Sequence, residues 1–212
     1  MNRSEKVWDR FAKNYDQKAR ADKTFTRTMS IMKQYTQPGS MVLDFACATG
    51  LFSIDMAREV KEVHGLDISS KMIELANKKV AELDISNAVY VQGSVFDERY
   101  ISGTYDLILA LNILLYFKDT EKVIERIYQL LKPGGIVISS TACLADKKTL
   151  LSAIAGTLIY LFMKMGILPE IRYLKMTELE NMMKKEGFKI AETDVLTLNP
   201  ATEYLIIARK TG

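Results

Sequence analysis

Cysteine and histidine are nearly missing from this sequence: Cys47, Cys143 and His64 are all there are among 212 residues. The two cysteines stand far apart and form no CxxC pair and no Cys/His cluster, so neither a zinc module nor a disulfide scaffold is expected, and a reduced, cytoplasmic protein is. No metal site is expected. The opening "MNRSEKVWDR" lacks the apolar core of a signal peptide, so secretion is not expected. A membrane-spanning helix needs ~20 apolar residues, and the uncharged apolar stretch Thr149 to Met163 falls short of that. A concentrated basic face is missing too. The formal net charge is +3, with Lys and Arg interspersed among Asp and Glu, which argues against a nucleic-acid partner. A composition 48% hydrophobic and 26% charged excludes a disordered chain and suits one folded domain.

What is present is an alternation. Val7, Trp8, Phe11, Ala12 and Tyr15 fall at helical spacing, as do Phe25, Met29, Met32 and Tyr35, which predicts two N-terminal helices stopped by "QPGS" at Gln37 to Ser40. Strand-like runs follow at Met41–Ala46, Glu62–Asp67, Ala88–Gly93, Tyr105–Leu111 and Gly135–Thr141. Helical runs lie between most of them, at Leu51–Val60, Ser70–Leu83 and Thr120–Leu131, the last closed by "KPGG". Strands that read as apolar runs and alternate with helices predict an α/β, doubly wound, mostly parallel sheet covered on both faces. After a helix at Thr177–Glu186, "FKIAETDVL" and "TEYLIIAR" are joined too closely for a parallel return, so the sheet should end in an antiparallel hairpin. The chain thus divides into lid helices (1–37), a core (38–145), an apolar insertion (146–176) and a C-terminal helix and hairpin (177–212), with no repeat and no second domain.

In an open α/β sheet, ligands bind outside the carboxyl ends of the strands, beside the first of them. That place is "VLDFACATG", Val42 to Gly50. A dinucleotide site would want G-x-G-x-x-G there, and a carboxylate would repel the phosphates. The chain has no such fingerprint and carries Asp44 inside the strand, so an NAD-dependent oxidoreductase is disfavoured and a cationic ligand fits better. Asp67, 23 positions after Asp44, stands where an acid takes the ribose hydroxyls of an adenosine-bearing ligand, or where a turn or N-cap acid would precede the next helix.

These segments resemble the motifs of class I S-adenosylmethionine-dependent methyltransferases, of the small bacterial group that includes the quinone-biosynthesis enzymes. "LDFACATG" resembles the first motif and "VHGLDISSKMIELANKK" the second. "VQGSVFD", "YDLILALNILLYFKD" and "LLKPGGIVISS" are similar to the later ones in order and spacing, and "WDRFAKNYD" resembles a lid helix. The likeness covers Val7 to Arg209. It implies S-adenosylmethionine as cofactor, with Asp44 and the backbone of Ala46, Cys47, Ala48, Thr49 and Gly50 at its methionine part. It further implies Asp67 at the ribose, Ile68 and Met72 on the adenine faces, and Gly93, Ser94 and Val95 at the adenine edge. Leu111 and Asn112 would line the methyl side and Tyr15 would close over the cofactor. Trp8 and Phe11 read as packing residues of an amphipathic helix. Leu115, Tyr116, Tyr160 and Tyr173 are the substrate-side candidates.

Three positions depart from the pattern. Ala48 replaces a glycine, at a cost of roughly 1–2 kcal/mol if the backbone there is left-handed. Ser94 replaces a common Asp, and "NILLYF" stands where relatives carry histidines. His64 reads as a packed or surface residue, and no Asn-Pro-Pro-Tyr motif of amine methylation appears. The expected chemistry is in-line methyl transfer to a small apolar or soft acceptor, a quinol, phenol, thiol or lipid-like molecule; a non-catalytic cofactor-binding scaffold on the same fold is the alternative. In the insertion, Lys147, Lys148, Lys164, Arg172 and Lys175 flank the apolar centre. It is read as a packed cap forming one pocket wall, with an acceptor lid, a dimer contact or a peripheral membrane contact through 149–163 as the other readings.

Overall fold

Seven strands form one sheet: Met41–Phe45 (β1), Glu62–Asp67 (β2), Ala88–Gln92 (β3), Tyr105–Leu111 (β4), Leu131–Cys143 (β5), Phe188–Thr197 (β6) and Thr202–Lys210 (β7). Their order is β3-β2-β1-β4-β5-β7-β6. This computed structural model describes residues 3–146, 157, 160–198 and 202–212. The first five strands pair in parallel, and β7 pairs antiparallel with both β5 and β6, so the sheet is doubly wound with a terminal hairpin. The order reverses between β1 and β4, which leaves a crevice at the carboxyl end of β1.

Each face is buried by its own set of apolar residues. On one, Leu43, Phe45 and Ile108 pack with Ile124 and Ile127 of Thr120–Leu130 (helix α5) and Met183 of Met176–Glu186 (α6). On the other, Val42, Leu107 and Leu109 pack with Met32 of Phe25–Gln34 (α3), Met56, and Ile73 and Ala76 of Ser70–Glu82 (α4). The helix ends follow local chemistry. Ser69 caps α4 by accepting from Met72 N, Asp119 caps α5 by accepting from Lys122 N, and Gly187, at φ +103°, ends α6 in the left-handed turn that glycine takes without strain.

Three expectations change. The first N-terminal helix is two, Arg3–Phe11 (α1) and Tyr15–Ala21 (α2), separated by a 3₁₀ turn at Ala12–Asn14. The helix expected over Leu51–Val60 is a run of turns with a 3₁₀ helix at Asp55–Glu59. There Ser53 Oγ is drawn to the Tyr90 hydroxyl (2.8 Å), and the Asn87 amide takes the carbonyls of Ala57, Val60 and Lys61, so side chains from the sheet claim groups a regular helix would use. Finally, "KPGG" is no loop. It is a bulge inside β5, which already pairs at Leu131 with Tyr105 and slips register before Ile136. Gly135 makes the close approach possible, since a Cβ there would meet the Lys132 carbonyl oxygen at 2.9 Å.

Candidate active site at the carboxyl end of the first strand

A cleft of about 770 Å³ opens where β1, β2 and β4 end, with α1 and α2 on one side and the segment Leu168–Glu170 on another. Its inner part is built from Ala46, Ala48, Asp67, Ile68, Met72, Gly93 and Ser94, with Tyr15 reaching in from α2. Its outer part is built from Trp8, Ile113, Tyr116, Phe117, Lys118, Leu168, Pro169 and Glu170, with Leu111 and Asn112 near the divide.

The turn after β1 is left-handed at three places: Ala46 (φ +59°), Ala48 (+48°) and Gly50 (+70°). Only the last demands glycine on spatial grounds, because a Cβ at Gly50 would sit 2.9 Å from Ile54 Cδ1 and 3.0 Å from Tyr90 Cε1. The methyl of Ala48 packs with Ala12 and Met72. Replacing it by glycine would relieve about 1–2 kcal/mol of left-handed strain. The same change would forfeit a buried methyl worth about 0.8 kcal/mol and add chain entropy worth about 0.5–1 kcal/mol. Ala48→Gly is therefore expected to be close to neutral, and a shift in melting temperature beyond about 4 °C either way would contradict it.

Asp67 is the clamp of the inner cleft. Its Oδ2 accepts from Ala48 N (3.0 Å) and its Oδ1 from Ser69 N (2.8 Å), tying the turn after β1 to the one after β2. It thus serves as a turn acid, while the N-cap of α4 is Ser69. Burial pushes its pKa up and the backbone donors oppose that shift.

Asp44 lies beneath this layer, 3% exposed, and its Oδ2 has no hydrogen-bond partner. Burial, then the charge of Asp67, push its pKa up to about 7, against a hydrogen bond from Ser53 that lowers it. The Tyr15 hydroxyl is pushed up in turn by burial and by the fields of Asp44 and Asp67. Among the described residues no cation answers Asp44, so positive charge is what the inner cleft lacks. S-adenosylmethionine, with its sulfonium and ammonium, fits that deficit, and Asp67 retains lone pairs for hydroxyl donors.

The helices α1 and α2 are fastened to the loops that form the cleft. Asp9 of α1 accepts from Ser69 Oγ (2.6 Å) and Lys71 N (3.3 Å) at the start of α4, and Glu5 accepts from Gln92 Nε2 (3.0 Å). Asp16 of α2 bonds the Thr49 hydroxyl and the Lys79 ammonium, which also donates to the Thr49 carbonyl (3.0 Å).

Tyr15, Ala46, Ala48, Asp67, Ile68, Met72, Gly93, Ser94, Leu111, Asn112 and Tyr116 thus meet in one cleft, as their sequence positions implied. Cys47, Thr49, Gly50, Val95 and Leu115 support it from behind. Cys47 N donates to the Leu66 carbonyl (3.0 Å), its thiol is buried and pushed up, Val95 is fully buried with its carbonyl on Arg126, and the Leu115 carbonyl accepts from Arg172 N. Tyr160 and Tyr173 are exposed and do not line the cleft. His64 is held away from it, between the Tyr105 hydroxyl (2.9 Å) and Glu62 (2.8 Å). Trp8 is no mere packing residue. It lines the cleft and is in edge-to-face contact with Tyr116, with ring centroids 5.2 Å apart. Arg172 does not flank the insertion freely, because its guanidinium pairs with Glu121 and Glu178. Lys147, Lys148 and most of 149–163 lie outside the described residues, whereas Leu168, Pro169 and Glu170 do form a wall. Among the described residues no cluster of His, Cys, Asp or Glu is arranged to hold a metal ion, and no helix is long and apolar enough to cross a membrane.

Known proteins share this pattern. A family described as a methyltransferase domain matches residues 36–198. A ubiquinone biosynthesis O-methyltransferase from Escherichia coli O127:H6 is 30% identical over 166 residues, 77% of this chain and 68% of that one. One from Acinetobacter baylyi is 25% identical over 171 residues, 80% of this chain and 72% of that one. In fold, the chain superposes on an S-adenosylmethionine-dependent methyltransferase from Mesorhizobium loti with a TM-score of 0.73, at 17% identity and covering 91% of this chain and 100% of that one. Asp67 in the cleft, Asp44 buried beneath it and the family match agree, and the chain belongs to the class I S-adenosylmethionine-dependent methyltransferases.

Proposed function

We propose that the chain transfers the methyl group to a hydroxyl of a flat, largely apolar acceptor, of the quinol or phenol kind. The observation that carries this is the outer cleft, where Trp8, Ile113, Tyr116, Phe117, Leu168 and Pro169 surround the space beside Leu111 and Asn112. Similarity to ubiquinone biosynthesis O-methyltransferases supports the same acceptor class. The cofactor would supply an electrophilic methyl on a sulfonium that leaves as a neutral thioether, and the acceptor hydroxyl would give up its proton to solvent, so the chain has no leaving group to protonate. Its own residues align the two partners and exclude water, effects that reach about 7–11 kcal/mol in favourable systems. In this reading Asp67 takes the ribose hydroxyls, Ile68 and Met72 the adenine faces, Gly93 and Ser94 the adenine edge, and Tyr15 covers the methionine end above Asp44.

The test is release of S-adenosylhomocysteine across quinols, phenols, thiols and lipid headgroups. Turnover confined to hydroxylated rings is expected, and turnover confined to thiols or headgroups would overturn the acceptor class. Asp67→Ala should weaken cofactor binding by about 1.5–3 kcal/mol, the range for hydrogen bonds to a charged group; calorimetry showing unchanged affinity would remove Asp67 from the ribose. A peripheral membrane contact is a second reading, favoured by exposed Leu161, Phe162, Met165 and Ile167 near Lys164. Co-sedimentation with anionic vesicles is its expected sign, and a protein left wholly in the supernatant would end it.

A further inference from the structure

The two ends of the cleft carry opposite charge. The inner end holds Asp67, with Asp44 buried beneath it and its Oδ2 without a hydrogen-bond partner. The outer rim holds Arg3 and Lys118, with Glu170 as the one acid lining that part. Glu170 pairs with Lys118 at 3.0 Å, and its carboxyl is held below the usual range by Lys118 first, then by Arg3 and Lys164. Arg3 donates to the Met163 carbonyl (2.9 Å) and has no carboxylate at ion-pair distance among the described residues. Arg3 and Lys118 therefore share one acid at the mouth. The Lys118–Glu170 pair is also loose, with side chains 86% and 68% exposed. Such surface pairs are worth little, so Lys118 can turn to another anion at small cost.

A cationic cofactor gains nothing from a basic rim. The rim instead suits a second ligand whose charge lies at the end remote from the reacting hydroxyl, its body lying against the contacting pair of Trp8 and Tyr116. We propose that the methyl acceptor carries a carboxylate, received at the mouth of the cleft by Lys118 and Arg3. This rests on the acceptor reading above and narrows it from neutral rings to ring-bearing acids. Glu170 then acts against tight binding, a competitor that keeps Lys118 in place between substrates.

Caffeate and its neutral amide, caffeamide, are matched probes, and Trp8 is the only tryptophan of the chain, so its fluorescence reports binding directly. In the presence of S-adenosylhomocysteine, caffeate should bind about 3- to 5-fold tighter than the amide, the upper range for an ion pair at an exposed site. That ratio should shrink with added salt. Lys118→Met should bring it close to one, while Glu170→Gln should widen it, a gain that misfolding could not mimic. Equal affinity for the two probes, binding of neither, or a ratio indifferent to both substitutions would overturn the proposal. The cofactor has a carboxylate of its own, so a Lys118→Met variant that loses S-adenosylhomocysteine in place of caffeate would overturn it too. A preserved preference for caffeate without methylation of either probe would support the carboxylate site and count against hydroxyl transfer.

Discussion

Asp44→Asn is expected to stabilise the cofactor-free protein at pH 8 and, at the same pH, to weaken its hold on S-adenosylmethionine. The carboxyl is 3% exposed, one of its oxygens has no partner, and its pKa is raised from 3.8 to about 7, first by burial. Near pH 3 it is protonated whether the chain is folded or not and contributes nothing. Between about 4 and 7 the folded protein keeps a proton that the unfolded chain has released, so stability falls as pH rises. Above 7 the whole cost is present, about 4 kcal/mol for a rise of this size. Asparagine removes the charge and with it this cost. A cationic cofactor favours the ionised carboxylate, so wild-type affinity should climb between pH 6 and 8 and that of Asp44→Asn should stay flat and at least about 10-fold weaker at pH 8. Tyr15 and Cys47, which also face Asp44, are pushed far above this window, whereas Asp67 is itself raised, first by burial and against its backbone donors, so Asp44's share is read as the difference between wild type and Asp44→Asn. Thermal denaturation and cofactor titration at pH 5.5 and 8 read both effects. A variant destabilised equally at the two pH values would show that Asp44 is not a buried, uncompensated charge.

Gly65→Ala should be the most damaging small substitution in the sheet. Gly65 lies in β2 beside Asp44 of β1, and a Cβ there would fall 2.2 Å from Tyr90 Cδ1 and 3.2 Å from Cys47 Sγ. Tyr90 cannot step aside freely, because its hydroxyl is bonded to Ser53 beneath the cofactor turn. Overpacking at about 1–3 kcal/mol and a buried hydroxyl left unpaired at about 1–3 kcal/mol together give about 3–5 kcal/mol. That corresponds to a loss of roughly 10 °C or more in melting temperature for a chain of this length. Pairing Gly65→Ala with Tyr90→Leu removes both the collision and the orphaned hydroxyl. The double variant should be no less stable than Gly65→Ala alone; simple additivity of the two losses would mean that the ring was never the obstacle.

Much of this was legible in the sequence because burial on both faces writes apolar runs. Met41–Phe45, Glu62–Asp67 and Tyr105–Leu111 begin and end within a residue of their expected limits. Asp67 was legible because its place after β2 is set by the topology. What could not be read was anything decided by groups distant in the chain. The segment 51–60 is apolar at helical spacing, yet Asn87 and Tyr90, some thirty residues on, set its backbone. "KPGG" has the composition of a stop, and only the neighbouring strand makes it a bulge. Trp8, Phe45, Phe117 and Glu170 escaped notice at the cleft because their spacing is that of ordinary core or surface. Cys47 and Thr49 were taken with their neighbours, although alternate residues of a tight turn point to opposite sides.

The fastening of the lid has a consequence for the order in which the molecule takes shape. Asp16 reaches Thr49 across 33 residues, Asp9 reaches Ser69 across 60, Glu5 reaches Gln92 across 87 and Arg3 reaches Met163 across 160. The first helices to leave the ribosome must therefore wait for anchors that are made later, and contacts between such distant segments form late because closing long loops costs entropy before any contact rewards it. The cleft is built open and covered last.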